Sequence, residues 1–415
     1  MRTVAVIGAG ISGLAVSWLL SRRYRVLLFE KDDRLGGHTH TVVVEGQNGP
    51  LPLDTGFLVH NERTYPNLVR LFRELGVETR DSDMSFGVSC RRTGLEYSSR
   101  GLTGFFAQPS NLVSPRHLDL LREIVRFNRE APALLTDSEN GPTLGEFLES
   151  RRFGDVFTDS YLLPMASAIW STALAEIRRF PAAALVRFFH NHGLLTLTAQ
   201  PTWKVVVGGS HVYVPRLVSP LADSVYRGVT INAVNRTSTG VTLAFVGRPS
   251  VQVDEVVFAC HGDQVLPILS DPSDAEREVL GRFRTTTNVA CLHTDSSYLP
   301  VRARARASWN YLLAGPPEAP PVVTYDLNRL QGLDTRAQYC VTLNPLVPPQ
   351  EDCVIGRYTY SHPLYDSAAL SAQRRWADIS GRHRTHYCGA YWGYGFHEDG
   401  LNSAIRVAAA MGVTW

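Results

Sequence analysis

Lysine is nearly missing from this chain: there are two in 415 residues, Lys31 and Lys204, and arginine carries the rest of the positive charge. No lysine or arginine block occurs, and 41 basic against 39 acidic residues leave a formal net charge of +2. The sequence by itself therefore points to neither nucleic acid nor an anionic membrane surface. No apolar run approaches the ~20 residues of a membrane span, so no transmembrane segment is expected. Six cysteines (Cys90, Cys260, Cys291, Cys340, Cys353, Cys388) lie scattered without a C-x-x-C pair. That argues against structural zinc, leaves no metal site to expect, and suits reduced thiols in a cytoplasm. Internal repeats and low-complexity tracts are missing as well. Met1 and Arg2 run straight into an apolar stretch, so no leader peptide is expected. The remaining composition, 44% hydrophobic and 19% charged, is that of a packed globular protein long enough for two domains or one composite one.

The densest information lies at the start. Residues Thr3–Ile7 (TVAVI) have the look of a buried strand, followed at once by Gly8-Ala9-Gly10-Ile11-Ser12-Gly13 and an apolar helix pattern through Leu20. A second strand pattern, 25–30 (RVLLFE), ends in the acidic Glu30, about 20 positions after the glycines, as a dinucleotide fingerprint requires. Gly8 permits a tight turn, Gly10 lets backbone approach a pyrophosphate, and Gly13 lets helix and strand pack closely. Ile11 and Ser12 open the helix, whose free N–H groups and partial positive charge favour phosphate. Glu30 can accept from both ribose hydroxyls, and its charge would repel a 2′-phosphate.

After Glu30 come Lys31, Asp32, Asp33, Arg34, Leu35, Gly36, Gly37 and His38. An arginine and a glycine pair just past the second strand give the further close approach that an extended FAD needs and a nicotinamide does not. This segment resembles the FAD-binding amine oxidase and phytoene desaturase superfamily, whose members carry E-x4-G-G or a near variant here. The resemblance implies FAD as cofactor. Residues 49–60 then read as strand and turn, with Thr55 beside Gly56, a glycine small enough to sit against a flavin ring.

Further along, 65–75 has helical spacing, and 115–195 is mostly helical, with 117–129 and 145–157 as the best candidates and Thr143 before Glu146 as a capping box. This block lacks phosphate-binding glycines and is a candidate cover for a substrate pocket. Beyond 201, Gly208-Gly209-Ser210 leads into a helix over 212–223, then a hairpin over 228–245 and a buried strand over 254–260. In the resembled superfamily this run belongs to the FAD domain, which makes Val234 the candidate adenine contact. Residues 285–345 show four more strand patterns, with Trp309, Asn310, Tyr311 and Tyr325 among them, fitting the floor of a substrate domain. At the C-terminus a strand over 385–388 precedes Gly389-Ala390, a close approach, and a helix over 401–411 capped by Asp399-Gly400. Relatives end in a helix whose N-terminus faces the flavin, so N–H groups near Leu401 are expected there.

Gly-Gly-His-Thr-His-Thr (36–41), Ala-Ile-Trp-Ser-Thr (168–172), 187–195 and Gly-Tyr-Gly-Phe-His-Glu-Asp-Gly (393–400) resemble a bacterial FAD-dependent oxidoreductase subgroup, which also has the motifs at 308–311 and 328–331, over nearly the full length. Its members often accompany cyclopropane-fatty-acid-synthase-like methyltransferases, implying lipid-like acyl substrates. Two features depart from the wider superfamily. Gly389 is followed by Ala390 where many relatives place an acid for the ribityl chain, and no lysine aligns with the one that serves the flavin in many amine oxidases.

The expected fold is α/β: a Rossmann-type FAD-binding domain of the glutathione-reductase-like, amine-oxidase type (1–85, 200–275, 385–415), with an α+β substrate domain inserted discontinuously (helical part 86–199, sheet part 276–384). The expected function is hydride transfer from a C–C or C–N bond of a mostly apolar small molecule to flavin N5, with the electron acceptor and oligomeric state left open. A redox-neutral double-bond isomerase and a true amine oxidase are the alternatives. His397 and Tyr394, in the segment that should pass the flavin's substrate side, are the candidate catalytic residues, since imidazole has a suitable pKa of about 6.5 and Tyr391, Trp392 and Tyr394 can wall an apolar tunnel.

Overall fold

The computed structural model describes residues 1–136, 141–196 and 200–415. Five parallel strands form its first sheet, in the order Val225–Tyr226, Arg25–Phe29, Thr3–Ile7, Glu255–Phe258, Thr385–Tyr387. Side chains alternate through this sheet. Val4, Val6, Val26, Leu28 and Val257 pack on one face, while Ala5, Ile7, Leu27, Phe29, Val256 and Phe258 pack on the other. Both faces are covered, which is why these strands read as continuous apolar runs. The helix Ile11–Leu20 and the terminal helix His397–Ala410 cover the first face; the three-stranded antiparallel sheet Ile231–Arg236, Val241–Phe245, Arg248–Val253 and the helix Asp274–Leu280 cover the second.

A second sheet has seven strands: Val354–Leu364, Arg284–His293, Cys340–Leu343, Val322–Asp326, Trp309–Leu313, Phe86–Cys90, Glu96–Ser98. Neighbours are antiparallel except Trp309–Leu313 with Phe86–Cys90, which run parallel. The block expected to be helical from residue 86 thus opens with two strands, too short to show a period. The helical cover follows. Pro115–Glu130 starts on Ser114, which accepts from the His117 N–H, and Leu144–Ser150 starts on the Thr143/Glu146 capping box. The single helix expected over 145–157 stops early, because Arg152 takes a left-handed conformation (φ 54°) before Asp155–Phe157 begins a new turn. Phe127, Phe147 and Phe157 fill the core beneath. Residues 197–199, at the end of the expected helical part, lie outside the described residues, as do 137–140.

Two stretches assigned from sequence to the substrate sheet pack elsewhere. Val279 and Leu280, then Ala369, Ala372 and Ile379, belong to the core on the second face of the parallel sheet. A buried ion pair fixes this edge: Arg236 donates to Glu276 at 2.6 and 3.0 Å, and the Tyr387 hydroxyl donates to the same carboxylate at 2.5 Å. Burial pushes the Glu276 carboxyl up, but the hydrogen bonds and charge of Arg236 win and hold it at about 2.

Candidate active site

A cavity of about 1180 Å³ runs from the glycine turn at the end of Thr3–Ile7 to the helical cover. At its first end Gly8 adopts φ 101° and its N–H donates to the Phe29 carbonyl at 2.8 Å, locking the turn to the neighbouring strand. A Cβ on Gly13 would lie 1.8 Å from the Gly8 oxygen, so helix and strand touch there. A Cβ on Gly10 would meet nothing within 4 Å. Space is therefore left open beside the helix N-terminus, where an anion gains most. Gly8, Gly10, Ile11, Ser12, Glu30, Lys31, Arg34, Gly37 and His38 all line the cavity. Gly13 and Gly36 do not; Gly36 instead ties the loop down, donating to the Ala9 carbonyl at 2.8 Å.

Glu30 does two things. Its carboxylate accepts from the Ala9 N–H at 2.7 Å and the Asp32 N–H at 3.1 Å, shaping both loops, and it still faces the cavity. Arg34 donates to the carbonyls of Gly37 (2.7 Å) and Thr39 (2.9 Å), so its guanidinium holds the glycine-pair loop in shape. Val234 is a correction. It is fully buried in the core, bridged to Leu269, and off the cavity, whose wall is made by Val229, Thr230 and Ile231. A register shift between Ile231 and Ala233 changes the phase of that strand.

At the junction of the two halves, Gly389, Ala390, Tyr394 and His397 reach the cavity, as does Gly56. A Cβ on Gly56 would come within 2.2 Å of the His38 oxygen. Thr55 stands behind this wall, its hydroxyl 2.6 Å from the Tyr360 hydroxyl. The terminal helix begins at His397, four residues before the expected start, so Asp399 is its third residue rather than its cap. The Asp399 carboxylate accepts from the Phe396 N–H at 3.0 Å, and burial raises its pKa to about 6. Gly400 is inside the helix for a tertiary reason: a Cβ there would lie 2.8 Å from Ile11 Cγ2 and from Ser12 Oγ. Neither Gly400 nor Leu401 lines the cavity; Phe396 and His397 present that helix end to it.

His397 is held on three sides. Its Nε2 lies 3.1 Å from the Thr39 hydroxyl and 3.1 Å from the Tyr213 hydroxyl, and its ring stacks on Phe57 at 3.7 Å. Burial, then the nearby His60, pushes its pKa down to about 3, so it is a neutral hydrogen-bonding group. Tyr394 accepts from Trp170 Nε1 through its carbonyl (3.2 Å); burial raises its hydroxyl above the ordinary value, so that group stays a proton donor.

Sequence reasoning missed a second cluster. His38, His261 and His362 come from three distant segments and all line the cavity, with ring centroids 5.2 Å (His38 to His362) and 6.3 Å (His38 to His261) apart. Burial and the neighbouring imidazoles lower His38 well below its ordinary pKa, and its Nε2 has no partner within the protein. Tyr360 and His362, two residues apart on the strand Val354–Leu364, were the available signal for that side of the wall.

The unfilled space at Gly10, the carboxylate of Glu30, and the unpartnered His38 Nε2 and Tyr391 hydroxyl fit an extended dinucleotide that is polar at one end and flat at the other. Fold and site define an FAD-dependent oxidoreductase. The family model for flavin containing amine oxidoreductases matches residues 11–299, and the chain belongs to that family. Among solved structures, wild-type putrescine oxidase bound to putrescine is similar at 16% identity, covering 99% of this chain and 98% of that one with a TM-score of 0.70. Cyclohexylamine oxidase from Brevibacterium oxydans IH-35A is similar at 16% identity (99% and 98% covered, TM-score 0.65). A fatty acid isomerase from P. acnes that produces CLA is similar at 15% (97% and 97%, TM-score 0.67). At these identities the likeness establishes the fold alone.

Proposed function

We propose that the enzyme takes a mostly apolar, lipid-like or natural-product substrate into the second half of the cavity and oxidises a C–C or C–N bond of it. The observation that carries this reading is the distribution of charge on the cavity wall. Its charged residues, Glu30, Lys31, Asp32, Arg34 and Asp263, come from the segments that follow the strands Arg25–Phe29 and Glu255–Phe258. The part walled by Tyr97, Phe105, Ile124, Ile169, Trp170 and Phe188 has no charged side chain among the described residues. An ammonium group would find no carboxylate there, whereas desolvating an apolar chain against aromatic walls is favourable. This weighs against a diamine substrate.

FAD, when bound, supplies the two-electron acceptor for such a bond. The protein's own work is to hold the substrate, exclude water and place one proton-transferring group. In the proposed roles Tyr394 offers a hydroxyl at the junction, and His397, neutral and clamped by Thr39 and Tyr213, orients that junction rather than storing a proton. The five-piece division of the chain into an FAD domain and an inserted substrate domain belongs to the same proposal, with 276–283 and 367–384 moved to the FAD side. So does a cytoplasmic setting, which all six cysteines being unpaired supports. The uncharged wall serves a double-bond isomerase equally well, and electron yield separates the two. Anaerobic mixing of FAD-loaded enzyme with unsaturated acyl substrates and with alkyl diamines tests the reading. Bleaching of the visible flavin absorbance by an acyl substrate is expected. Bleaching by diamines alone would overturn it, and a shifted double bond without net bleaching would select the isomerase.

A further inference from the structure

We infer that the cavity mouth docks on an anionic phospholipid bilayer, so that substrate enters from the membrane rather than from water. The inference rests on the apolar-substrate reading above. Leu102 lines the cavity and is nevertheless 71% exposed, and its neighbours Ser99 and Gly101 are likewise both lining and exposed, which places an opening at the helix Gly101–Phe105, apart from the exposed lining residues Thr196 and Gln200 and, at the charged end, Lys31 and Asp32. The long cover helix Pro115–Glu130 walls the same cavity with Leu121, Ile124 and Asn128, and is joined to the mouth through Phe105 and His117, whose rings lie 4.2 Å apart. Around this point the surface is unusually apolar. Val113 is 80% exposed, Leu112 57% and Leu118 46%, while Val301, just before the turn Ala303–Ala305 that packs on the mouth helix, is 84% exposed.

Charge identifies the partner. Arg100, Arg116, Arg122 and Arg129 are exposed on the mouth and cover segments, and Arg302 and Arg304 on the adjoining turn; Asp119 is the one exposed acid of 100–129 and 301–304 among the described residues. Four of these arginines are tied laterally, Arg122 to Asp119 at 3.5 Å, Arg302 to Glu96 at 3.2 Å, Arg129 to Glu130 at 3.7 Å and Arg100 to Asp83 at 4.0 Å, and Arg116 and Arg304 carry the positive surplus. A chain whose net charge is only +2 thus places cations around the uncharged end of this cavity. The residues lie in separate stretches, so no basic block appears in the sequence. Apolar side chains ringed by arginine match the interface of an anionic bilayer, which takes the former into its acyl boundary and attracts the latter. No helix among the described residues is long and apolar enough to cross a membrane, so the contact is peripheral.

The test is flotation of the FAD-loaded protein with vesicles of phosphatidylcholine alone and of phosphatidylcholine with one-third phosphatidylglycerol. Binding is expected to the second only and to weaken as salt rises. Each arginine near such a surface is worth about a fivefold change in partition, so Arg116→Glu with Arg122→Glu should lower binding at least about 25-fold. Leu112→Asp with Val113→Asp should abolish it. Neither pair lines the cavity, so flavin content and melting temperature should match the parent. No flotation with anionic vesicles at low salt, or variants that bind like the parent, would overturn the inference. So would a parent dimer that the Leu112→Asp/Val113→Asp variant dissociates, since the surface would then belong to a second copy. A fluorescent fatty acid bound in the cavity without vesicle binding would defeat docking and leave the substrate reading standing. Vesicle binding without uptake of that probe would do the reverse.

Discussion

Gly10 and Gly13 stand three residues apart in one turn, yet substituting them should fail in opposite ways. For Gly13→Ala the new Cβ starts 1.8 Å from the Gly8 oxygen and 2.9 Å from the Gly8 carbonyl carbon. To reach even 3.0 Å the oxygen must retreat by the difference, 1.2 Å. That group is backbone, in a residue whose own N–H is bonded to Phe29. Overpacking of this kind costs about 1–3 kcal/mol, and the upper end applies because no side chain can swing aside. For Gly10→Val the Cβ meets nothing, and the position has φ −73°, open to any residue. Its effect on the stability of the apoprotein should stay within about 0.5 kcal/mol. In the proposed placement of the cofactor, what it fills is the space a pyrophosphate would take. Losing two charge-assisted hydrogen bonds of about 1.5–3 kcal/mol each weakens FAD binding by roughly 10²- to 10⁴-fold. The assay is the ratio of flavin to protein absorbance after purification, together with melting of the apoproteins. Gly10→Val should be folded and colourless, Gly13→Ala should melt early whatever its flavin content. A folded Gly10→Val protein with stoichiometric flavin would refute the placement of the cofactor.

Acidification should destabilise the fold. His397 takes up its proton at about 3 when folded against an ordinary value of 6.5, so its contribution is full above 6.5 and is lost as pH falls toward 3, of order 4–5 kcal/mol when complete. His362 behaves alike, at about 4. Asp54 and Asp399, both raised to about 6 by burial, act in the opposite sense, their contribution being lost as pH rises from 4 to 6. The histidines whose pKa is lowered, among them His38, His60, His192, His293, His362 and His397, outnumber the raised carboxylates Asp54, Asp399 and Glu398, so the melting temperature should drop between pH 6.5 and 4.5, and a flat or rising profile would contradict the assignment. Tyr394→Phe should lower turnover by about 10²-fold or more if its hydroxyl moves a proton, while His397→Ala should lower it less, both with flavin retained. Parent-like rates in both variants would return these residues to scaffold. Glu276→Gln removes the buried charge partner of Arg236 and leaves it only the half-exposed Asp271 at 3.1 Å, which should cost up to about 3 kcal/mol, measured by urea unfolding; a loss under 1 kcal/mol would show that Asp271 compensates.

The strand–glycine–helix turn at the first end of the cavity was legible because its physics is local. A positive φ at Gly8, a helix packed at Gly13 and an acid at Glu30 are each settled within 30 residues of chain. Val234 misled because the register shift at Ile231/Ala233 changes the phase of a strand with no mark in the residue types. Asp399-Gly400 was taken for the cap because an acid before an apolar run usually begins a helix, whereas Gly400 lies inside it and admits Ile11 and Ser12 from far away in the sequence. The His38–His261–His362 group was invisible for the same reason: its members lie more than 300 residues apart in sequence from first to last, and only the finished fold makes them neighbours. Strands Phe86–Cys90 and Glu96–Ser98 are simply too short to display alternation.

The meeting of Gly400 with Ile11 and Ser12 also sets a clock. The fingerprint leaves the ribosome long before the helix that closes its far side is made. At about 5–20 residues per second, an interval of roughly 20–80 s separates the two. During that time the strand Thr3–Ile7 has Arg25–Phe29 beside it early and Glu255–Phe258 only much later, and the apolar face destined for the terminal helix stays uncovered. With the cofactor placed as proposed, flavin capture should wait for the helix His397–Ala410, and shortage of the cofactor should be felt by chains that already carry it rather than by shorter nascent ones.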